Sequence, residues 1–298
     1  MKPIEIVLLL LEQIEFDEPP GSITDVVVKV LMASPSAFQF SEAQALAKAN
    51  QTAIEKRLQA HWNKSTERGQ PLRLIVFQTP SGDTLVRGVS HIFPSDSADE
   101  IAAKNRRRLS LQISDSLDAI TDPFDFERLC SNILGLLGVT SPVVTKAARD
   151  EGVDFFGKLN PVAEKYLFDV TPTVQKSLDI WLVGQAKHYP KGKAGTPDLR
   201  HLFGSVSLAR ANAFSTNSYT SKVLTLRVAD PVFCLFFTTG ELSNDAWTLI
   251  RKTGIVAMDG GMLSAFLADR GMGATIIDPI KFRAWLDSQK LITDGIVV

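Results

Sequence analysis

Of 298 residues, only two are cysteine and four are histidine. Cys130 and Cys234 lie far apart in apolar stretches, which gives no disulfide framework and fits buried free thiols in a reducing cytoplasm. His61, His91, His188 and His201 match no metal-ligand spacing and read as surface or packing residues. Long hydrophobic runs are missing as well. The longest, such as Ile6–Leu11 and Val232–Phe237, fall far short of a bilayer span, so no membrane association is expected. The N-terminus has neither the basic start nor the small-residue cleavage site of a signal peptide, and a cytoplasmic location is the expectation. No GxxxxGK[ST], GxSxG or HExxH is present, leaving ATPase, α/β-hydrolase and zincin readings without support.

What is present is ordinary in bulk and uneven in detail. Hydrophobic residues make up 45% and charged residues 22%, as in soluble globular proteins, and the length allows two domains. Net charge is −1, so nothing global attracts a polyanion. Locally, Gln185–Val228 holds seven Lys/Arg against one acid, Asp198, and Lys104–Arg108 reads KNRRR. Either run can be a solvated face, and either permits phosphate binding.

Residues 1–93 read as helices followed by a hairpin. IEIVLLLLEQIEF and ITDVVVKVLMAS make two packed helices around the breaker EPPGS. In SEAQALAKANQTAIEKRLQAHWNK, Ser41 can cap one short helix. Asn50 and Gln51 interrupt it, and Thr52 can cap a second helix carrying Ile54, Leu58 and Trp62 on one stripe. Two short helices and a tight polar turn suggest a helix-turn-helix. With the strands around Pro80–Asp83, the order becomes that of a winged helix. The helix from Thr52 to about Thr66 would then meet DNA through Lys56, Arg57, Gln59 and Lys64; a small helical dimerisation module is the competing reading. Residues 94–121 read as a linker, PSDSADE, and a connecting helix.

From residue 122 to 298 strands and helices alternate, which predicts an α/β sheet with chemistry at strand ends. DPFDFERLCSNILGLLGV opens this domain as a helix, and TPDLRHLFGSVSLARANAF forms another, with Thr196 as N-cap and Pro197 at the first position. Between them lie PVVT, GVDFFGKL and IWLVGQAKHY. Ile180–Gly184 is an apolar run of the kind buried on both faces of a sheet. Gln185 and Lys187 follow two apart, on one face and roughly 6–7 Å from each other at about 3.3 Å per residue. Asp154 opens the preceding strand. A carboxylate, an amide oxygen and an ammonium meeting at one point would suit Mg²⁺, a hard cation that prefers oxygen ligands. Singly, an Asp at a strand start is a common turn residue and a Gln-x-Lys pair a common solvated edge.

The segments FDFERLCSNILGLLGV, RDEGVDFF, IWLVGQAKHY, TPDLRHLFGSV, FFTTGELSNDAW and GIVAMDGGMLSAFL together resemble the catalytic domain of Mrr-like restriction endonucleases, a branch of the PD-(D/E)XK nucleases. The resemblance runs over about residues 122–270. DEGVD and QAK are its most specific parts, followed by the LRHLFG helix. It implies a PD-(D/E)XK-type mixed sheet flanked by helices, cleaving DNA phosphodiesters with Mg²⁺ or Mn²⁺. It places metal ligation on Asp154 and Gln185; the backbone carbonyl of Ala186 is expected as an extra ligand. Lys187 acts on the attacking water, and Glu127 is an auxiliary acid. Two departures accompany it. Glu151 stands where the family has glycine, and the gap from Asp154 to Gln185 is long, leaving residues 159–178 as an insertion.

These readings converge on a restriction-type endonuclease acting on double-stranded DNA, with modified DNA as a candidate substrate. Lys191, Lys193 and Arg200 are expected to touch phosphate, and a homodimer is expected to cut both strands. The rivals are a DNA-binding protein on an inactive nuclease fold and a structure-specific repair nuclease.

Overall fold

The computed structural model describes residues 1–36, 38–145, 152–159, 179–211, 213 and 223–288, together with the main chain of 292–293 and 296–297. Glu151, Lys222 and all of the expected insertion beyond Leu159 up to residue 178 lie outside the described residues. The chain divides into two compact units, Met1–Ser110 and Leu111–Val298.

The first unit runs α1 (Pro3–Gln13), β1 (Gly21–Ser22), α2 (Ile23–Ala33), α3 (Phe40–Arg68), β2 (Leu74–Gln78), β3 (Thr84–Gly88) and α4 (Ala98–Arg108). The three strands form an antiparallel sheet in the order β1-β3-β2. Apolar side chains of all three leading helices, including Leu10, Val27, Leu31, Ile54 and Leu58, close one core with Leu74 and Val86 of the hairpin. Ser22 starts α2 by accepting the N–H of Asp25 at 3.1 Å. Glu18, from the breaker segment, is buried and paired with Lys29 at 2.6 Å.

The break expected at Asn50–Gln51 does not occur: α3 is a single helix of 29 residues starting at Phe40, so neither Ser41 nor Thr52 is an N-cap. Ala43, Ala47, Ile54 and Leu58 form one stripe whose phase carries straight through the polar pair. Asn50 and Gln51 make helical contacts of their own. Asn50 donates to the Leu46 carbonyl at 2.8 Å, and Gln51 donates to Glu55 at 3.0 Å. The helix ends at Gly69, whose left-handed φ of 67° lets its N–H reach back to the last turn. Among the described residues of this unit, α2 and α3 follow one another without an intervening strand.

Pro94–Glu100 leads directly into α4. Ser97 and Glu100 exchange bonds as a capping box, and Asp96 accepts from the Phe93 N–H and from Lys104 at 2.6 Å. Part of the KNRRR run is thereby structural. Arg108 likewise donates to the Ser90 carbonyl and pairs with Asp17.

The second unit continues with α5 (Ser110–Asp118, whose first residue closes the first unit), α6 (Pro123–Leu136), β4 (Val143–Val144), β5 (Phe155–Leu159), β6 (Ile180–Lys187), β7 (Lys193–Ala194) and α7 (Thr196–Arg210). There follow β8 (Val232–Thr238), β9 (Glu241–Leu242), α8 (Asn244–Thr253), β10 (Val256–Met258), α9 (Gly260–Asp269), α10 (Gly273–Ile276) and α11 (Pro279–Asp287), then β11 (Ile292–Thr293) and β12 (Ile296–Val297). The main sheet has the order β10-β8-β6-β5-β4. Strands β6, β8 and β10 run parallel, while β4 and β5 are antiparallel additions, so the sheet is mixed, as expected. On one face Phe156, Trp181, Val183 and Phe236 pack against Leu199 and Leu202 of α7 and Trp247 of α8. By strand alternation the opposite face carries Phe155, Ala186 and Phe237, towards α6. The N-cap of α7 is Gly195, one residue earlier than expected. Asp198 reaches back to accept its N–H at 3.1 Å, which replaces a Thr196 cap.

Candidate active site

Strand β6 is buried along nearly its whole length because β5 and β8 flank it and helices cover both faces. Its polar end is set by the register of β5. Phe155 lies opposite Gly184, and Asp154, just before it, bonds to Gly184 and Ala186 on either side of Gln185. Gly184 does not open space for a ligand. The Phe155 ring lies across it, where a Cβ would collide, and stacks on Phe237 at 5.4 Å.

Asp154 is 4% exposed and Gln185 1% exposed. The Asp154 N–H donates to the Gly184 carbonyl at 3.0 Å, and its Oδ2 accepts the Ala186 N–H at 2.7 Å. The N–H and C=O of one extended residue face the same strand edge, so the Ala186 carbonyl also lies on the Asp154 side of β6. Thr145 ties this corner down, its hydroxyl donating to the Val153 carbonyl at 2.6 Å. Just before, Gly152 adopts φ of 81°, a conformation suited to glycine, and sits so close to His201 and Ser205 of α7 that no Cβ would fit. The glycine of DEGVD is thus required both by its backbone and by its neighbours.

Gln185 carries the most informative atom. Its Nε2 donates to Nδ1 of His201 at 3.0 Å, while Oε1 is buried and has no hydrogen-bond partner among the described residues. A buried unsatisfied acceptor costs about 1–3 kcal/mol. Lys187, two residues on and half-buried, ends the strand opposite Thr238 of β8. Glu127 is half-buried on α6, one turn before Cys130. The Cys130 thiol is pushed well above its ordinary pKa by burial first, then by the negative charges of Asp154 and Glu127.

The donor set fits a divalent cation of the hard kind: a carboxylate, an amide oxygen that lacks a partner, and a main-chain carbonyl on the same edge. Among the described residues no group of three or more His, Cys, Asp or Glu converges.

The remaining sequence candidates are spread over surfaces. Lys191 is exposed in a turn with φ of 57°. Lys193 is exposed and pairs with exposed Glu241 at 2.7 Å, an ion pair worth little in water. Arg200 is exposed on α7. In the first unit, Lys56, Arg57, Gln59 and Lys64 all lie exposed on α3, with Gln59 donating to Asn63. The basic count after Gln185 shrinks by Arg227, which pairs with Asp179 and Asp230, two acids flanking that window. His201 is a site residue that sequence spacing does not reveal. Its partner is 16 residues away on another element, and no spacing rule connects them.

A mixed five-stranded sheet flanked by helices, with Gln185 and Lys187 at the end of its central strand beside Asp154, is consistent with a nuclease fold. Residues 118–223 match the family model of the Mrr catalytic domain, described as a restriction endonuclease. Such domains generally use divalent metals. No curated protein matches the chain. Among solved structures it is similar to the MspJI restriction endonuclease in complex with a 27-mer oligonucleotide, at 14% identity and a TM-score of 0.39, covering 74% of this chain and 56% of that one. It is also similar to the DNA modification-dependent restriction endonuclease AspBHI, at 13% identity and a TM-score of 0.38, covering 72% and 60%. The chain spans less than two thirds of either. Among the described residues, no helix is long and apolar enough to cross a membrane.

Proposed function

We propose that the protein is a metal-dependent DNA endonuclease of restriction type. The observation that carries the reading is the unsatisfied Gln185 Oε1 beside Asp154, on the strand that ends in Lys187. Asp154, Gln185 and the Ala186 carbonyl would hold Mg²⁺ or Mn²⁺, which when bound supplies Lewis-acid stabilisation of a phosphoryl oxygen. Lys187 would orient the attacking water and offset charge on the phosphate as the P–O bond breaks. Glu127 would hold a further water from α6.

In the same proposal the first unit reads DNA as a winged helix. Its support is the order α1-β1-α2-α3-β2-β3 with the sheet β1-β3-β2, and α3 would be the helix that enters a groove, through Lys56, Arg57, Gln59 and Lys64. Lys191, Lys193 and Arg200 would meet backbone phosphates. Two copies would be needed for a double-strand cut, so a homodimer on DNA is part of the reading.

The test is incubation of the purified protein with unmethylated and methylated plasmid, in Mg²⁺ and in EDTA. Expected is linear or nicked product in Mg²⁺ alone, absent in Asp154→Ala and Lys187→Ala. Cleavage that persists in both variants would overturn the site; cleavage of one plasmid only would establish selectivity for the state of the bases.

A further inference from the structure

A carboxamide differs from a carboxylate in one respect that matters to a metal: only one of its two ends is a ligand. Rotating the Gln185 amide by half a turn would place an NH₂ group where the oxygen now stands. Something must choose between the two, and the shape of the side chain does not. On β6 the choice is made from α7. His201 Nδ1 lies 3.0 Å from Gln185 Nε2 and accepts its proton, which leaves Oε1 as the end facing away from the ring. This assigns the ring tautomer too, with the hydrogen on Nε2. Gly152 leaves room for the ring by lacking a Cβ.

We propose that His201 is a positioning residue that fixes the Gln185 amide with its oxygen towards the metal position. The inference rests on the reading of Gln185 as a ligand. It ties the LRHLFG helix to the QAK strand by one hydrogen bond, and it explains why a neutral ligand needs a support that a carboxylate would not. Neighbouring groups that orient a metal ligand are typically worth about 10–100-fold in affinity.

The experiment measures Mn²⁺ binding by calorimetry on the full chain without DNA, alongside plasmid cleavage, for His201→Ala, His201→Gln, Gln185→Glu and the double variant Gln185→Glu/His201→Ala. Expected for His201→Ala is a loss of about tenfold or more in Mn²⁺ affinity. His201→Gln, which restores an acceptor, recovers part of that loss. In the Gln185→Glu background both ends are oxygen, so His201→Ala changes affinity by less than about twofold. Equal losses in the two backgrounds would assign His201 a general structural role and overturn the proposal. Unchanged Mn²⁺ affinity in His201→Ala would do the same. The underlying reading fails separately, if Gln185→Ala and Asp154→Ala bind Mn²⁺ like the unaltered protein. Should His201→Ala not fold, the comparison of His201→Gln in the two Gln185 backgrounds decides, since melting temperatures are read for every variant.

Discussion

Two buried acids of the second unit, Asp125 and Asp154, differ in the partners that reach them. Asp125, on α6, receives both guanidinium nitrogens of Arg283 at 2.8 and 2.7 Å and has Arg128 at 3.5 Å, with Arg128 in turn bound to Asp287 at 2.6 Å. The guanidinium of Arg283 is pushed up by that bidentate pairing and by the charge of Asp125. Asp154 accepts the Ala186 N–H at 2.7 Å, beside Gln185, a neutral amide whose oxygen lacks a hydrogen-bond partner among the described residues. The carboxylate of Asp125, closed by arginines, ties α11 to α6. The lesson is that burial alone does not mark a functional acid; the chemistry of its neighbours does.

The sharpest way to break the comparison is to remove one acid at a time. Lys187→Ala and Asp154→Ala should lower cleavage by about 10²–10⁴-fold while far-ultraviolet circular dichroism stays unchanged. Asp125→Ala should show the reverse, with normal cleavage per folded molecule and about 1–3 kcal/mol lost in urea unfolding, because the bonds from Arg283 that tie α11 to α6 are removed. If Asp125→Ala abolishes cleavage without loss of stability, the two acids are not different in kind. Gly184→Ala should cost about 1–3 kcal/mol by driving a methyl into the Phe155 ring, read as a drop in urea midpoint. Replacing Lys191 and Lys193 by Ala should make the slope of log affinity for DNA against log salt shallower by about 0.9 for each phosphate no longer neutralised, measured by fluorescence anisotropy. The smallest effect belongs to Cys130. Its folded pKa is raised, so the folded chain keeps a proton that the unfolded chain releases above about pH 8.5. Stability should be full below that pH and decline above it, and a Cys130→Ser variant should lack that decline.

How much is legible in the sequence follows from which interactions are local. The apolar run Ile180–Gly184 announces a central strand because both faces of β6 are covered, and period two places Gln185 and Lys187 together without further information. That Asp154 comes to lie beside Gly184 and Ala186 depends on register, which no local pattern encodes; the family motif carries it. The expected turn at Asn50–Gln51 fails because polar residues in mid-helix look like a break, whereas here each satisfies itself with a residue four positions away. His201 escapes for a different reason. Its meaning lies in one nitrogen touching another element, and histidine on an amphipathic helix carries no outward sign of that.

The ring of Phe155 resting on bare backbone at Gly184 has a consequence beyond packing. Shifting β5 by a single step would turn Asp154 to the wrong side of the sheet, and it would also drive an aromatic ring into Val183 or Gln185 instead of glycine. The hairpin partner is keyed, like a notched shaft, so the chemistry at its tip is guarded by an uncharged fit one residue further in.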